Sequence, residues 1–283
     1  MASDAPRTSV PSANGRSAGA SLAAHPEAGS SAGRSAGDEL TGRRFFVSWS
    51  GGKDAYLALQ RATLRRGVPA ALVCMLHEDG RVSRGHGLPL ALLEEQAAAL
   101  GIPLIARGTT WDDYEATYVS LLHELGTQGV EAGVFGDIDL QAHRDWVENI
   151  CEVAGLGCHL PLWQEPRRRL LDEFLAGGSR ATIVAVDSSK LGAEFLGLVL
   201  DDAVIARLEA AGADACGEEG EYHTMVTEAP LFSRPVPLSW DGVEERDGHH
   251  VLRFAPSPAA SCSSSGDAPP ELADIVRARL ANP

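Results

Sequence analysis

Phe45-Phe46-Val47-Ser48-Trp49-Ser50-Gly51-Gly52-Lys53-Asp54 is the stretch on which the reading of this chain turns. An apolar run of strand character gives way to two adjacent glycines, and a helical pattern, Ala55 to Arg66, follows at once. Paired glycines between a strand and a helix let the backbone turn sharply and bring its N–H groups close to an anion, where the helix N-terminus adds partial positive charge. This is not a Walker A loop, in which four residues separate the first glycine from Gly-Lys-Ser/Thr; here Lys53 follows the glycine pair directly. Lys53 and Lys190 are the only lysines of a chain otherwise rich in Arg, and a compact point charge kept beside the glycines suits phosphate. The competing reading is a plain turn with Asp54 as helix N-cap and no ligand.

Outward from this loop, Pro69–Leu76 reads as a second buried strand, a helix opens at Pro89 and closes at Gly101, and Ile102–Ala106 is a short third strand. Asp112 stands as cap to a helix with Tyr114, Tyr118, Leu121, Leu122 and Leu125 on one face, and Val130–Phe135 is a fourth strand. The alternation argues an α/β fold, a doubly wound parallel sheet whose ligand lies beyond the carboxyl ends of the strands where the winding reverses. In the common order 3-2-1-4, the loop facing Ser50–Asp54 is Gly136-Asp137-Ile138-Asp139. Carboxylates opposite a phosphate cradle suit Mg²⁺ bridging to phosphate oxygens, or contacts to nucleotide hydroxyls. Alternatively, Asp139 caps the next helix, which carries His143 and Arg144, and Asp137 shapes the turn. His86, alone in the loop Arg84–Gly87, is a candidate only.

Past Gly155 the pattern changes and a smaller α+β domain is expected. Its elements are a basic helix start at Arg167–Arg169, a strand Ala181–Val186, a helical stretch from Asp187 to Leu196, and a helix opened by Asp201. Then comes the densest chemistry of the chain, Cys216-Gly217-Glu218-Glu219-Gly220-Glu221-Tyr222-His223-Thr224. Three glutamates and a histidine broken by glycines form a bent acidic loop that can hold a cation, position an amine or supply a general base. The bland reading is a solvated acidic surface loop. Val236–Trp240 and Val251–Phe254, around Asp247-Gly248, read as a closing hairpin. The domains are therefore a disordered tail over residues 1–41, a nucleotide-binding domain over 42–155, a substrate or acceptor domain over 156–256, and a linker with a short terminal helix, Leu272–Leu280, over 257–283.

The 283 residues carry 24 Lys+Arg against 39 Asp+Glu, a formal charge of −15, which disfavours a nucleic-acid partner. Five cysteines without a Cys-x-x-Cys pair indicate neither a disulfide framework nor a zinc ribbon, and no dedicated protein metal site is assigned. A reducing, cytoplasmic setting fits. No stretch approaches the roughly 18 consecutive apolar residues of a membrane span, so no membrane is expected.

Taken together, Ser50–Asp54, Gly136–Asp139 with His143 and Arg144, and Cys216–Thr224 resemble the diphthine–ammonia ligase family, PP-loop ATP pyrophosphatases of the adenine nucleotide alpha-hydrolase-like fold. The resemblance runs from about Arg43 to Phe232. It implies ATP bound with its pyrophosphate on the first loop, adenylation of a substrate carboxylate, and amide formation by ammonia. By motif position it implies that Ser50, Gly51, Gly52, Lys53 and Asp54 hold phosphate, that Gly136 and Asp137 lie near the nucleotide, and that Glu218, Glu221 and His223 line the acceptor side. Lys53, Asp137, Glu218, Glu221 and His223 are the catalytic candidates, with ATP and Mg²⁺ as cofactors. Diphthine on elongation factor 2 is the implied acceptor for an archaeal or eukaryotic source, and a bacterial source leaves the acceptor open. Two departures stand out: Ala55 replaces the usual Ser after Asp, and Leu198 stands where Arg is expected. A sulfur-inserting tRNA enzyme of the PP-loop class and a non-catalytic ATP-binding protein are the alternatives, the latter favoured by Ala55.

Overall fold

A computed structural model of the chain describes residues 40–255, which lie within one compact unit. Nearly all of the expected tail, and the expected linker and terminal helix, fall outside the described residues. The first sheet is parallel, its strands being β1 (Arg44–Ser48), β2 (Val68–Leu76), β3 (Leu104–Gly108), β4 (Ala132–Val134) and β5 (Gly157–His159), in the order β3-β2-β1-β4-β5. The connections are α1 (Lys53–Leu64), α2 (Leu90–Leu100), α3 (Tyr114–Thr127) and α4 (Gln141–Ala154). The winding reverses between β1 and β4, as the sequence led us to expect. β5 pairs in parallel with β4 through His159, so the sheet continues past the boundary expected at residue 155.

β1 explains why this sheet is covered on both faces. Side chains of a strand alternate, and Phe45 and Val47 join one apolar cluster while Phe46 joins the other. The first cluster holds α1 and α2; the second holds Tyr118, Leu121, Leu122 and Leu125 of α3 with Val147 and Ile150 of α4.

The second sheet is built from β6 (Arg180–Asp187), β7 (Tyr222–Glu228), β8 (Trp240–Arg246) and β9 (His249–Phe254), antiparallel throughout, in the order β7-β6-β9-β8. Helices α5 (Arg167–Ala176) and α6 (Asp202–Ala210) accompany it. Asp201 caps α6 as expected, accepting the Val204 N–H at 2.8 Å. The two sheets share a core, because the cluster on the α1 face runs on without a break into β6 and β7. Tyr56 of α1 packs edge-on against Phe174 and Phe232, and its hydroxyl accepts the Leu231 N–H at 3.2 Å.

Three expectations are corrected. The helix from Asp187 to Leu196 is reduced to a single 3₁₀ turn, Ala193–Phe195, because the Asp187 carboxylate takes the backbone N–H and the hydroxyl of Ser189 and holds a turn instead. The first hairpin strand is Trp240–Arg246 rather than Val236–Trp240; Val236 is buried from a loop. Asp112 does not cap α3, whose N-cap position is Asp113.

Candidate active site

The Ser50–Asp54 loop leaves β1 and enters α1 with Gly51 at φ +82°, a left-handed conformation that glycine adopts without strain. Gly52 is the N-cap of α1 and has no side chain of its own to cap the helix; the Lys53 N–H is taken from β7 by the Thr224 hydroxyl at 3.2 Å. The competing reading, with Asp54 as N-cap, is not what forms. The Asp54 carboxylate instead accepts from the Lys53 ammonium at 2.8 Å. A helix N-terminus whose cap residue offers no side chain is suited to an anion at its remaining first-turn N–H groups.

Gly136 lies directly against this helix start. A Cβ on it would stand 2.8 Å from the Asp54 carbonyl carbon and 2.9 Å from the Ala55 nitrogen, so only glycine leaves the first-turn backbone of α1 open. Ala55, where a Ser hydroxyl is missing, is buried here. Asp137, next along, faces the His143 imidazole at 3.2 Å, and that hydrogen bond raises the His143 pKa. Asp139 neither caps α4, whose N-cap is Leu140, nor stays free. It is held in two hydrogen bonds, 2.7 and 2.8 Å, by the Arg167 guanidinium. Arg144 lies over the Trp163 ring, 5.0 Å from its centroid, and pairs with Glu148.

The acidic loop, across the chain from β6, closes onto the same place. Thr224 accepts the Lys53 backbone N–H on its hydroxyl at 3.2 Å, and the Val226 N–H donates to the Gly51 carbonyl at 2.9 Å. The Lys53 ammonium is buried, donating to the Cys216 carbonyl as well as to Asp54, with the Tyr222 ring centroid 5.4 Å away. Burial alone would depress its pKa, but Asp54 and the acidic groups around it reverse this and raise it. The Lys53 ammonium thus joins the two loops, facing Asp54 on one side and the Cys216 carbonyl on the other.

Glu221 is buried, and its two carboxylate oxygens accept the Asp214 and Glu219 backbone N–H groups, each at 3.1 Å. These contacts fold the loop on itself. Asp214 does the same for the Cys216 and Glu218 N–H groups and also pairs with Arg167 at 3.2 Å. Arg167 thus ties Asp139 on one side to the acidic loop on the other.

The Glu218 carboxylate is perturbed by the same surroundings. Burial, and then the charge of Asp54, push its pKa up to about 7 against the opposing pull of Lys53 and Arg167. His223 stacks on His86 at 4.5 Å between centroids and lies 6.0 Å from His249. His86 holds the Thr224 carbonyl at 3.0 Å through Nδ1, and its Cε1 comes within 2.5 Å of the place a Gly52 Cβ would occupy. Burial, reinforced by Lys53, lowers the His86 pKa to about 4, and burial with neighbouring His86 lowers that of His223. Burial thus disfavours the imidazolium form of both; His86 roofs Gly52, and His223 stacks on it. Among the described residues no group of three or more His, Cys, Asp and Glu is placed to hold a metal ion. Mg²⁺ needs no such cage, since one or two carboxylates with phosphate oxygens and water suffice; Asp137 suits that part.

The sequence reading missed Gln96, Arg167 and Asp214. Gln96 was legible in principle: it sits at the buried phase of α2 among Leu92, Leu93, Ala97 and Leu100, where a polar side chain must have buried partners. Leu198, in place of the expected Arg, packs against the main core.

A parallel α/β sheet carrying a glycine-pair loop at its winding reversal, with a docked acidic loop, defines an adenine nucleotide alpha-hydrolase-like protein of the PP-loop kind. Models of the diphthamide synthase N-terminal and C-terminal domains match residues 43–158 and 167–249 in that order. The diphthine–ammonia ligase of Schizosaccharomyces pombe is 28% identical over 224 residues, 71% of this chain and 37% of that protein. The rat protein of the same name is 27% identical over 236 residues, 73% of this chain and 86% of that protein, and the mouse protein 30% over 178 residues, 56% and 66%. The chain thus spans little more than a third of the yeast relative and most of the rat one. A solved structure of a predicted subunit of tRNA methyltransferase from Methanocaldococcus jannaschii aligns with a TM-score of 0.36 and 14% identity, covering 66% of this chain and 97% of that one. The chain belongs to the diphthine–ammonia ligase family.

Proposed function

We propose that the chain is an ATP-dependent ligase that adenylates a substrate carboxylate and amidates it with ammonia. The observation that carries this reading is the α1 N-terminus at the glycine pair, whose N-cap Gly52 has no side chain, left open by Gly136 and bordered by Asp137 and the docked acidic loop. A carboxylate oxygen attacks the α-phosphorus of ATP, the bond to the β-phosphate oxygen breaks, and pyrophosphate leaves. Ammonia then attacks the acyl carbon, AMP departs, and the surplus proton goes to a base.

The first-turn backbone of α1 and the glycine pair hold the departing pyrophosphate, stabilising charge as it develops. Mg²⁺ would be held by Asp137 and would screen phosphate charge. Glu218, titrating near neutrality beside Asp54 and Arg167, takes the proton from ammonium and from the attacking nitrogen. Lys53 keeps the acidic loop seated over the nucleotide. The neutral His86 and His223 close the roof without adding a cation that would repel ammonium. A diphthine-bearing protein is the acceptor that the relatives' name points to, and the charge of −15 suits a basic protein partner.

The test is product analysis of ATP turnover with ammonium and a diphthine-bearing acceptor. AMP and pyrophosphate in equal amounts with the amide support the reading. ADP and phosphate would refute adenylation, and binding without turnover would leave a nucleotide-binding protein.

A further inference from the structure

Gln96 is fully buried on α2, far in sequence from both loops of the site, yet its amide reaches the first loop and the strand that carries the second. Its Nε2 donates to the Gly51 carbonyl at 3.0 Å and to the Val226 carbonyl at 2.8 Å, while its Oε1 accepts the Trp49 indole N–H at 3.1 Å. One amide hydrogen thus goes to the PP-loop and the other to β7, the strand that carries the acidic loop. A carboxylate of the same shape has no hydrogen for either carbonyl when ionised, and a thioether has none at any pH.

The consequence lies in peptide planarity. The Gly51 carbonyl and the Gly52 N–H belong to one rigid plane and point in opposite directions, so whatever fixes the carbonyl aims the N–H. The Gly51 carbonyl is held twice, by Gln96 and by the Val226 N–H at 2.9 Å. The Gly52 N–H consequently points back into the loop, where it meets the Ser50 hydroxyl at 3.3 Å. With Gly51 in the left-handed region and glycine on both sides of the plane, nothing in the backbone itself would stop this peptide from flipping.

We propose that Gln96 is a positioning residue that locks the Gly51–Gly52 peptide against β7, so that the phosphate-facing backbone and the acidic loop hold one geometry and move as one unit. The proposal rests on the reading of Ser50–Asp54 as the ATP loop. It assigns to α2 a part in nucleotide affinity through a side chain that is itself fully buried.

Gln96→Met keeps shape and burial but loses all three hydrogen bonds, and should weaken ATP binding by about tenfold, measured by calorimetry on the full chain. Gln96→Glu should weaken it more at alkaline than at acid pH, because a protonated carboxyl regains one donor and an ionised one has none. A Gln96 that merely fills the core would lower melting temperature in both variants while leaving the ATP dissociation constant of the folded fraction, and its pH dependence, at parental values. That result overturns the proposal. Should neither variant fold, hydrogen exchange of the parent decides: the Gly52 and Val226 amides open together if the clamp couples them, and independent opening sinks it. The exchange experiment needs no nucleotide, so a parent that fails to bind ATP would refute the ligase reading separately.

Discussion

Glu218 and Glu221 stand three residues apart in one loop, and their surroundings give them opposite work. Glu218 has its pKa pushed up to about 7, so its folded state keeps a proton that the unfolded chain releases between the ordinary carboxylate range and neutrality. Stability therefore falls as pH rises through that window. Glu218→Gln removes the loss: the variant should melt a few degrees higher than the parent at alkaline pH, with the gap closing in acid. In catalysis the sign reverses. The parent-to-variant ratio of turnover should rise through pH about 7 and then level, and taking the ratio cancels the ionisation of ammonia common to both. A pH-independent ratio would remove Glu218 as the base. Glu221→Gln, by contrast, swaps one of two oxygens that accept backbone N–H groups for a donor. It should cost about 2 kcal/mol of stability and leave the pH profile of turnover unchanged. A denaturant titration showing parental stability would return Glu221 to the acceptor side.

At the scale of elements, the site is made where ends meet: the start of α1, the end of β4 and the start of β7. Gly136→Ala tests that junction, since its Cβ would meet backbone atoms of Asp54 and Ala55 that have no flexible end to yield. The expected result is a loss of ATP affinity of about tenfold with a strain of about 1–2 kcal/mol, read by calorimetry and melting. Unchanged affinity would mean that the Gly136 backbone does not frame the nucleotide.

The buried elements of the first sheet were legible because Phe45, Phe46 and Val47 are apolar without a break and the helices carry clean stripes. β5 was not, being three half-buried residues at a sheet edge with no pattern to show. β8 alternates exposed and half-buried side chains, with Gly242, Glu244 and Arg246 among them, so no apolar signal marks it. Val236 carried the opposite message, an apolar side chain that announces burial from a loop. In the site, the motifs were readable as motifs, but the division of labour was not. Whether a glutamate turns inward to fold its own loop, as Glu221 does, depends on the Asp214 and Glu219 N–H groups that receive it, and sequence does not show where those point.

At the scale of the molecule, one apolar core runs from the helices on the parallel sheet into the antiparallel one, and the two halves meet again in polar contacts at the PP-loop. Lys53 to Thr224, Gln96 to Val226 and Arg167 to both Asp139 and Asp214 join segments distant in sequence. Under the proposed function, activation of a carboxylate and its amidation take place at this one junction of the two halves. The most direct measurement is oxygen transfer. With ¹⁸O in the acceptor carboxylate, adenylation on this loop predicts one labelled oxygen in the AMP released, with pyrophosphate unlabelled. Label appearing in inorganic phosphate beside ADP, or AMP formed with no label, would contradict it.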